Sequence, residues 1–258
     1  MPRVLTPELM DDPGVDPGQL RRALAYIRAV NRRLGGIAAL LRHLEAWEGP
    51  AQRPTQAEHA GESPGTPITL LDVATGSADL PVAARRWALS RGLDLRIVAI
   101  DKHEETLSAA RDHVAQASRA DPRIGAGITL EAMDAMDLEH ALAGRQIDYA
   151  HAGLFLHHLD DARATAVLGA MWRVARRGVI WNDLVRSNLA RAGIWCLTLG
   201  QPRMIRHDAR VSVRAGFTRQ EALAIASLAG LPRARYDAGL FTQRFTVTAR
   251  RAEGGATT

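Results

Sequence analysis

The residues Ile68-Thr-Leu-Leu-Asp-Val-Ala-Thr-Gly-Ser-Ala-Asp79 decide the fold that this sequence predicts. Their first half, Ile68–Val73, is a short apolar run with the length of a buried strand. Their second half consists of small residues around Gly76 and leads directly into a helical pattern that begins at Asp79. A strand that turns sharply into a helix is the first unit of a doubly wound sheet, in which ligands bind beyond the carboxyl ends of the strands.

Apolar runs and helical patterns alternate along the chain beyond this unit. We therefore expect an α/β fold with a Rossmann-like, doubly wound and mostly parallel sheet. Two alternating runs on either side of Ala238-Gly239 predict an antiparallel strand pair at the C-terminal edge. Thr218, followed three residues later by Glu221, predicts a capped helix. The segment over residues 200–216 is interpreted as irregular. The predicted strands are 68–73, 95–100, 128–131, 146–152, 178–181, 233–237 and 243–249, and the predicted helices are 79–90, 104–118, 160–174, 187–199 and 218–229.

The sequence before residue 68 differs in composition from the rest. Residues 1–18 hold four prolines and scattered acids, which predict a flexible leader. In residues 19–48 apolar side chains recur at helical spacing until Gly35-Gly36 interrupts them, so we expect two helices that form an N-terminal lid. Residues 49–67 are rich in Gly, Pro, Gln and Glu and are interpreted as a linker. The domain that contains the sheet is predicted over residues 68–252.

Acidic residues end the second and third strands of the predicted sheet. Asp101 stands where a carboxylate can accept both hydroxyl groups of a ribose. Asp134 and Ala135 follow the third strand, and a carboxylate beside small and apolar groups suits an adenine ring. The helix that follows Gly76 offers free N–H groups to an anionic group. These residues predict a nucleoside-containing ligand.

This pattern resembles class I S-adenosylmethionine-dependent methyltransferases, in particular the small-molecule branch with the ubiquinone and menaquinone methyltransferases. The resemblance covers roughly residues 70–185. It implies S-adenosylmethionine as the cofactor, with Asp101 at the ribose and Asp134 at the adenine. The first motif of the family commonly has three glycines, and Ala74 and Ala78 replace two of them here; we expect these alanines at negative φ. The implied cofactor-binding residues are Asp72, Ala74, Thr75, Gly76, Asp79, Leu80, Asp101, Lys102, Asp134, Ala135 and His151.

Methyl transfer to a hydroxyl group requires a base, and histidine is the usual choice because its pKa lies near neutrality. His207 is our first candidate, since it lies in an Arg-rich segment after the fifth strand; His157 and Asp183 are further catalytic candidates. A packing role for His157 and a helix-capping role for Asp183 remain open alternatives. The residues expected to contact the substrate are His158, Arg186, Trp195 and Met204. A phenolic, quinol or polyketide-like acceptor from secondary metabolism is expected.

Two other classes of site are disfavoured. A nicotinamide-binding domain would have the pattern G-x-G-x-x-G, and only Gly76 is present. His151 stands where a metal-dependent O-methyltransferase has an acid, so we expect no metal. Methylation of carbon or nitrogen, and a non-catalytic cofactor-binding module, remain alternatives to O-methylation.

The composition limits the partners of the chain. The net charge is +5, but the arginines are dispersed among acids, so no nucleic-acid partner is expected. No apolar run of about 18 residues occurs, so no membrane span is expected. A single cysteine, Cys196, is consistent with a reducing cytoplasm. The expected partner is a small-molecule substrate, and the oligomeric state is left open.

Overall fold

The computed structural model describes residues 2–49 and 67–251. The predicted linker over residues 49–67 therefore lies almost wholly outside the described residues.

The described residues form one seven-stranded sheet in the order β3-β2-β1-β4-β5-β7-β6. Strands β1 to β5 are parallel, β7 is antiparallel to β5, and β6 is antiparallel to β7. This confirms the predicted Rossmann-like sheet and its antiparallel C-terminal pair. The fifth strand extends three residues further in each direction than predicted, because it pairs with β4 on one side and β7 on the other. The strands are β1 Ile68–Val73, β2 Leu95–Asp101, β3 Ile128–Ala132, β4 Ile147–Gly153, β5 Ala175–Leu184, β6 Arg235–Gly239 and β7 Arg244–Arg250.

Helices cover both faces of the sheet, and the predicted helices are present. The helices are α1 Pro17–Arg33, α2 Gly36–Glu48, α3 Asp79–Ser90, α4 Glu104–Ala120, α5 Pro122–Ala126, α6 Leu138–Ala141, α7 Asp161–Val174, α8 Asn188–Leu197, α9 Arg203–Ala215 and α10 Arg219–Leu228. The capping box of α10, formed by Thr218 and Glu221, is confirmed. The prediction of an irregular segment at 200–216 is wrong, since α9 occupies most of it. Its buried residues, among them Ile205, Asp208 and Val211, recur at helical spacing.

Side chains that alternate along each strand pack into two separate hydrophobic cores, one on each face of the sheet. Leu71 and Val73 of β1 pack with α7 and α10 on one face, whereas Leu70 packs with α2 and α3 on the other. Such alternation follows from the two-residue period of a strand. Burial on both faces fixes the register of the sheet, since a slip of one residue would exchange the two faces.

The two N-terminal helices have different positions, with Gly35 between them in the left-handed region at a φ of 82°. Helix α2 packs on the sheet through Leu40 and Leu44. Helix α1 instead packs against α4 through Leu20 and Leu24 and against α9 through Ala23.

Residues 2–12 pack against the domain, where the composition predicts a flexible leader. The Arg3 guanidinium donates to the carbonyl oxygens of Ala215 and Leu159 at 2.7 Å and lies over the ring of Phe217. The carboxylate of Asp208 accepts the backbone N–H groups of Leu9 and Met10. We call residues 2–12 the N-terminal segment.

None of the helices in residues 2–49 and 67–251 is both long and apolar enough to cross a membrane.

Candidate active site

A cavity of about 940 Å³ opens at the carboxyl ends of the parallel strands, where β1 and β4 lie side by side. The sheet order reverses direction at this pair, and such switch points are where doubly wound sheets bind ligands. Helix α1 and the N-terminal segment form the opposite wall of the cavity, with Leu5, Glu8 and Leu24 among the lining residues. The predicted site residues that line the cavity are Asp72, Ala74, Thr75, Gly76, Asp79, Leu80, Asp101, Lys102, Asp134, Ala135, His157 and His158.

The turn between β1 and α3 contains three residues in the left-handed region. Gly76 has a φ of 58°, and Ala74 and Ala78 have φ values of 53° and 57°. The expectation of negative φ at the two alanines is wrong. The left-handed region brings Cβ close to the carbonyl oxygen and costs an L-residue about 1–2 kcal/mol, so both alanines are strained where glycine would not be. The turn therefore keeps the backbone shape of a glycine-rich loop without its glycines.

Asp72 ties the first turn to the neighbouring strand. Its carboxylate accepts the Thr75 hydroxyl at 2.6 Å and lies 2.6 Å from Nδ1 of His151. His151 is fully buried on β4 and does not line the cavity. The structure thus places the His151 side chain behind Asp72, where it can orient the carboxylate.

Asp101 and Asp134 lie at the ends of the next two strands, as the sequence predicts. The carboxylate of Asp101 accepts the backbone N–H groups of Gly76 at 3.1 Å and His103 at 3.0 Å. Burial raises the pKa of Asp101 above its usual value, and these two hydrogen bonds oppose that rise. Asp134 accepts the N–H of Met136 at 2.9 Å. Both carboxylates are fixed by the backbone, so their positions are set before a ligand arrives.

Asp79 begins α3 and is held by a residue of α1. The Asn31 amide donates to its carboxylate at 2.9 Å and accepts a hydrogen bond from Arg244. Burial raises the pKa of Asp79, and the Asn31 hydrogen bond opposes that rise. Asn31 lines the cavity, so α1 contributes to the site directly.

His157 is a buried histidine of the cavity wall. Its Nδ1 lies 2.7 Å from the carboxylate of Asp183, which is fully buried at the end of β5 and also accepts the Trp181 indole N–H. Its Nε2 lies 3.6 Å from the Glu8 carboxylate. Burial lowers the pKa of His157, and the two carboxylates raise it by more, to about 10. The imidazole and Asp183 form a histidine–aspartate pair with Nε2 on the side of Glu8.

Glu8 and Asp11 are site residues that the sequence did not predict. Glu8 is buried, accepts the Ser212 hydroxyl and lies 3.8 Å from Nε2 of His158. Asp11 lies 3.1 Å from Nδ1 of His158. Both acids belong to a segment whose prolines and polar residues show no periodicity, so no local pattern could reveal their tertiary contacts. The only sequence signal was the pair of acids, Asp11 and Asp12, close to one end of the chain.

Glu8, His157 and His158 also have the ligand types of a metal site. Their donor atoms lie within 4.8 Å of one another. The carboxylates of Asp183 and Glu8 raise the pKa of His157 to about 10, so a metal ion would compete with a proton for its nitrogen. We therefore treat the three residues as an ion-paired cluster.

His207 lies outside the cavity lining, contrary to its selection as the first candidate base. It lies on α9 with Nδ1 3.0 Å from Asp208, and the residues of α9 that line the cavity are Val211, Ser212 and Ala215. The Asp208 carboxylate in turn holds Leu9 and Met10. His207 is thus associated with the anchor of the N-terminal segment.

Three predicted substrate-binding residues also lie away from the cavity lining. Arg186 is buried and donates to the Gly216 carbonyl and to Glu221, both at 2.6 Å, so it links β5 to the cap of α10. Met204 packs against Ala23 under α1. Trp195 is exposed on α8, with the Arg210 guanidinium 3.5 Å from its ring centre.

Residues 70–178 match a family model described as a methyltransferase domain. Among curated proteins, no sequence matches this chain.

Several solved structures have the same fold. An O-methyltransferase family protein from Burkholderia thailandensis shares 15% identity at a TM-score of 0.55, over 73% of this chain and 52% of the other. The magnesium protoporphyrin IX methyltransferase from Synechocystis PCC 6803, with bound SAH, shares 16% identity at a TM-score of 0.56, over 93% of this chain and 90% of the other. An S-adenosylmethionine-dependent methyltransferase from Aquifex aeolicus shares 16% identity at a TM-score of 0.57, over 92% and 100%. The chain thus spans about half the length of the Burkholderia protein and nearly all of the other two.

Proposed function

We propose that this chain is a class I S-adenosylmethionine-dependent methyltransferase that methylates an oxygen atom of a small phenolic, quinol or polyketide-like acceptor. One observation carries this proposal: the same cavity is lined by the acidic strand ends and by His157, whose partner Asp183 is buried behind it. The cofactor side and a proton-accepting side therefore face the same space. Apolar residues of the wall, including Phe155, Leu159 and Val211, favour an acceptor with an aromatic or aliphatic body.

The donor set of the cavity fits S-adenosylmethionine. In our proposal, Asp101 accepts the ribose hydroxyls and Asp134 accepts the adenine amine. Asp72 and Asp79 are anionic groups for a ligand that carries a sulfonium and an ammonium charge. The buried Ser77 hydroxyl lines the cavity and has no hydrogen-bond partner within the described residues, so a polar ligand group can satisfy it.

Bound in this cavity, S-adenosylmethionine would supply a methyl group on positively charged sulfur for the new O–CH3 bond, and the C–S electron pair would stay on sulfur. In our proposal, His157 in its neutral form, which becomes the major form only at alkaline pH, accepts the hydroxyl proton of the acceptor at Nε2. The carboxylate of Asp183 holds Nδ1–H, which fixes the ring and stabilises the imidazolium that forms. A base with a pKa near 10 is matched to a phenol, whose pKa lies in the same range.

The wall opposite the sheet excludes water from this space. Leu5, Leu24 and Ile27, from the N-terminal segment and α1, line the cavity with apolar side chains. Exclusion of water strengthens the interaction between the charged groups of the site. This is the role that we propose for the N-terminal lid.

Separate substitutions test the two halves of the site. Asp101→Ala should weaken the binding of S-adenosylmethionine in isothermal titration, because the ribose loses its carboxylate. His157→Ala should lower kcat/KM toward a phenolic acceptor by about 100-fold or more and leave cofactor affinity unchanged. Asp112→Ala and His140→Ala are the matched controls, since both residues are exposed on helices away from the cavity.

Two results would contradict the proposal. If Asp101→Ala binds S-adenosylmethionine as tightly as the wild type does, Asp101 does not bind the ribose and the proposed cofactor site is wrong. Full turnover in His157→Ala would instead support the alternative of a carbon or nitrogen acceptor, which needs no base at this position.

A further inference from the structure

Helix α8 is apolar yet exposed. It buries only Ala190, while Leu189, Trp195 and Leu197 are 54%, 57% and 48% exposed, and the following Leu199 is 72% exposed. Most helices of soluble domains turn their polar side outward. Four large apolar side chains exposed within eleven residues are a feature of interaction sites. We call these four residues the α8 patch.

Arginines surround the α8 patch in the sequence and in space. Residues 187–216 contain five arginines, no lysine and one acid, Asp208. Asp208 is buried and engaged with the N-terminal segment, so it does not present its charge at the surface. Arg210 lies over the Trp195 ring, and Arg203, Arg206 and Arg214 are exposed on the adjoining α9. The α8–α9 hairpin therefore combines exposed leucines and a tryptophan with a one-sided positive charge.

This combination selects one kind of partner. Leucine side chains have no counterpart on a nucleic-acid backbone, whose recognition uses charge and aromatic stacking. A symmetric contact with a second copy would bring the same arginines against each other, and like charges across an interface oppose association. An anionic lipid surface provides phosphates for the arginines and an apolar boundary for the leucines and tryptophan.

We propose that the α8–α9 hairpin docks the protein on anionic membrane surfaces. The α8 patch enters the boundary between headgroups and acyl chains, and the arginines of α9 contact lipid phosphates. Within the α8 patch, Trp195 has its ring against Arg210, so it contacts both an apolar surface and a cationic group, as an interfacial tryptophan does. The docking needs no membrane-spanning helix, and it does not depend on the acceptor proposed above.

Vesicle sedimentation of the full chain tests this proposal. The protein should bind vesicles that contain about one-third phosphatidylglycerol and should bind pure phosphatidylcholine at least tenfold more weakly. Trp195 is an intrinsic probe, because Trp87, Trp172 and Trp181 are buried and the half-buried Trp47 is stacked on Tyr149. Its emission should shift to shorter wavelength on binding, and Trp195→Phe should remove the shift.

Matched variants distinguish binding through this surface from non-specific binding of the protein to lipid. The double variant Leu189→Ser/Leu199→Ser should bind anionic vesicles at least tenfold more weakly. Leu228→Ser on α10 replaces a leucine that is 77% exposed and should bind as the wild type does. Arg203→Gln/Arg206→Gln should lose the preference for phosphatidylglycerol, whereas Arg22→Gln/Arg119→Gln, which removes two exposed arginines of α1 and α4, should retain it. Circular dichroism checks that each variant is folded.

Three results would overturn the proposal. One is equal binding of the protein to neutral and anionic vesicles. Another is vesicle binding that the Leu189→Ser/Leu199→Ser variant retains. The third is a dimer, detected by light scattering, that this variant abolishes, since the α8 patch would then belong to an interface between two copies.

Discussion

At the scale of single residues, the chemistry of the site depends on a few carboxylates placed around histidines. Asp183 and Glu8 hold His157 from two sides, and Asp11 contacts the neighbouring His158. The strand-end position of Asp183 followed from the sequence, but its burial and its bond to His157 did not. The sequence shows which side chains can titrate, but their contacts with one another are visible only in the folded structure.

The pH dependence of turnover should follow the charge on Glu8. The Glu8 carboxylate helps to raise the pKa of His157, so the proposed base is free only at alkaline pH. Glu8→Gln removes that charge and lowers the pKa of His157. The rising limb of kcat/KM against pH should then move to lower pH.

Glu139→Gln is the control for this measurement, because Glu139 is an exposed acid of α6 that pairs with Arg173. Its profile should coincide with that of the wild type. A limb that stays in place in Glu8→Gln, or moves to higher pH, would show that Glu8 does not set the charge of the base.

The strained alanine at position 74 gives a second prediction at this scale. Ala74→Gly should raise the free energy of unfolding by about 0.5–1 kcal/mol, because relief of a positive φ outweighs the greater freedom of glycine in the unfolded chain. Urea denaturation measures the change. Ala115→Gly, on the exposed side of α4, should instead lower the free energy of unfolding by about 1 kcal/mol. A decrease of similar size at both positions would show that the turn is not strained.

At the scale of elements, the N-terminal segment is the part of the site that differs most from its predicted form. It supplies Glu8 and Asp11, and its anchor is Arg3, whose guanidinium donates to four backbone carbonyls. A leader that composition marks as flexible becomes a wall of the cavity through contacts with residues more than 150 positions away. Such contacts leave no local pattern.

Arg3→Ala should release this segment. Hydrogen exchange at Leu9 and Met10, whose amides Asp208 holds, should quicken by about tenfold or more as the segment opens more often. Turnover should decrease in this variant, because Glu8 and the apolar side chains of the segment move away from the cavity when the segment opens. Asp161→Asn removes only the exposed partner of Arg3 and should change exchange little. Unchanged exchange in Arg3→Ala would show that other contacts hold the segment.

At the scale of the whole molecule, an aromatic cluster joins the antiparallel strands to the parallel sheet. Phe245 of β7 lies within 5.1 Å of the Trp181 ring centre and 5.2 Å of the Tyr236 ring centre, and it also meets Phe217 edge-on. Phe245→Ala should lower the free energy of unfolding by about 3–5 kcal/mol in urea denaturation. Phe241→Ala, at a ring that is 94% exposed, should change it by less than about 0.5 kcal/mol. Similar losses from both variants would argue against an aromatic cluster at this junction.

The fold was predictable from the sequence because strand and helix periods are local. The strands that end at Val73 and Asp101 and the capping box at Thr218 are visible without any tertiary information. Helix α9 was missed although its buried residues keep helical spacing, since its many arginines obscure the apolar stripe. Contacts of Glu8 and the φ of Ala74 could not be predicted, because they depend on long-range packing and on the shape of a turn.

The single cysteine has a practical consequence because of where α8 places it. Cys196 is exposed beside Trp195, so two molecules can become covalently linked through a disulfide, while a bond within one molecule is impossible. Preparations kept without a thiol reductant will therefore accumulate covalent dimers that do not report the native assembly. The same thiol accepts one maleimide-linked label per chain without any mutation. The label would lie on the α8–α9 hairpin, the surface that we propose binds membranes.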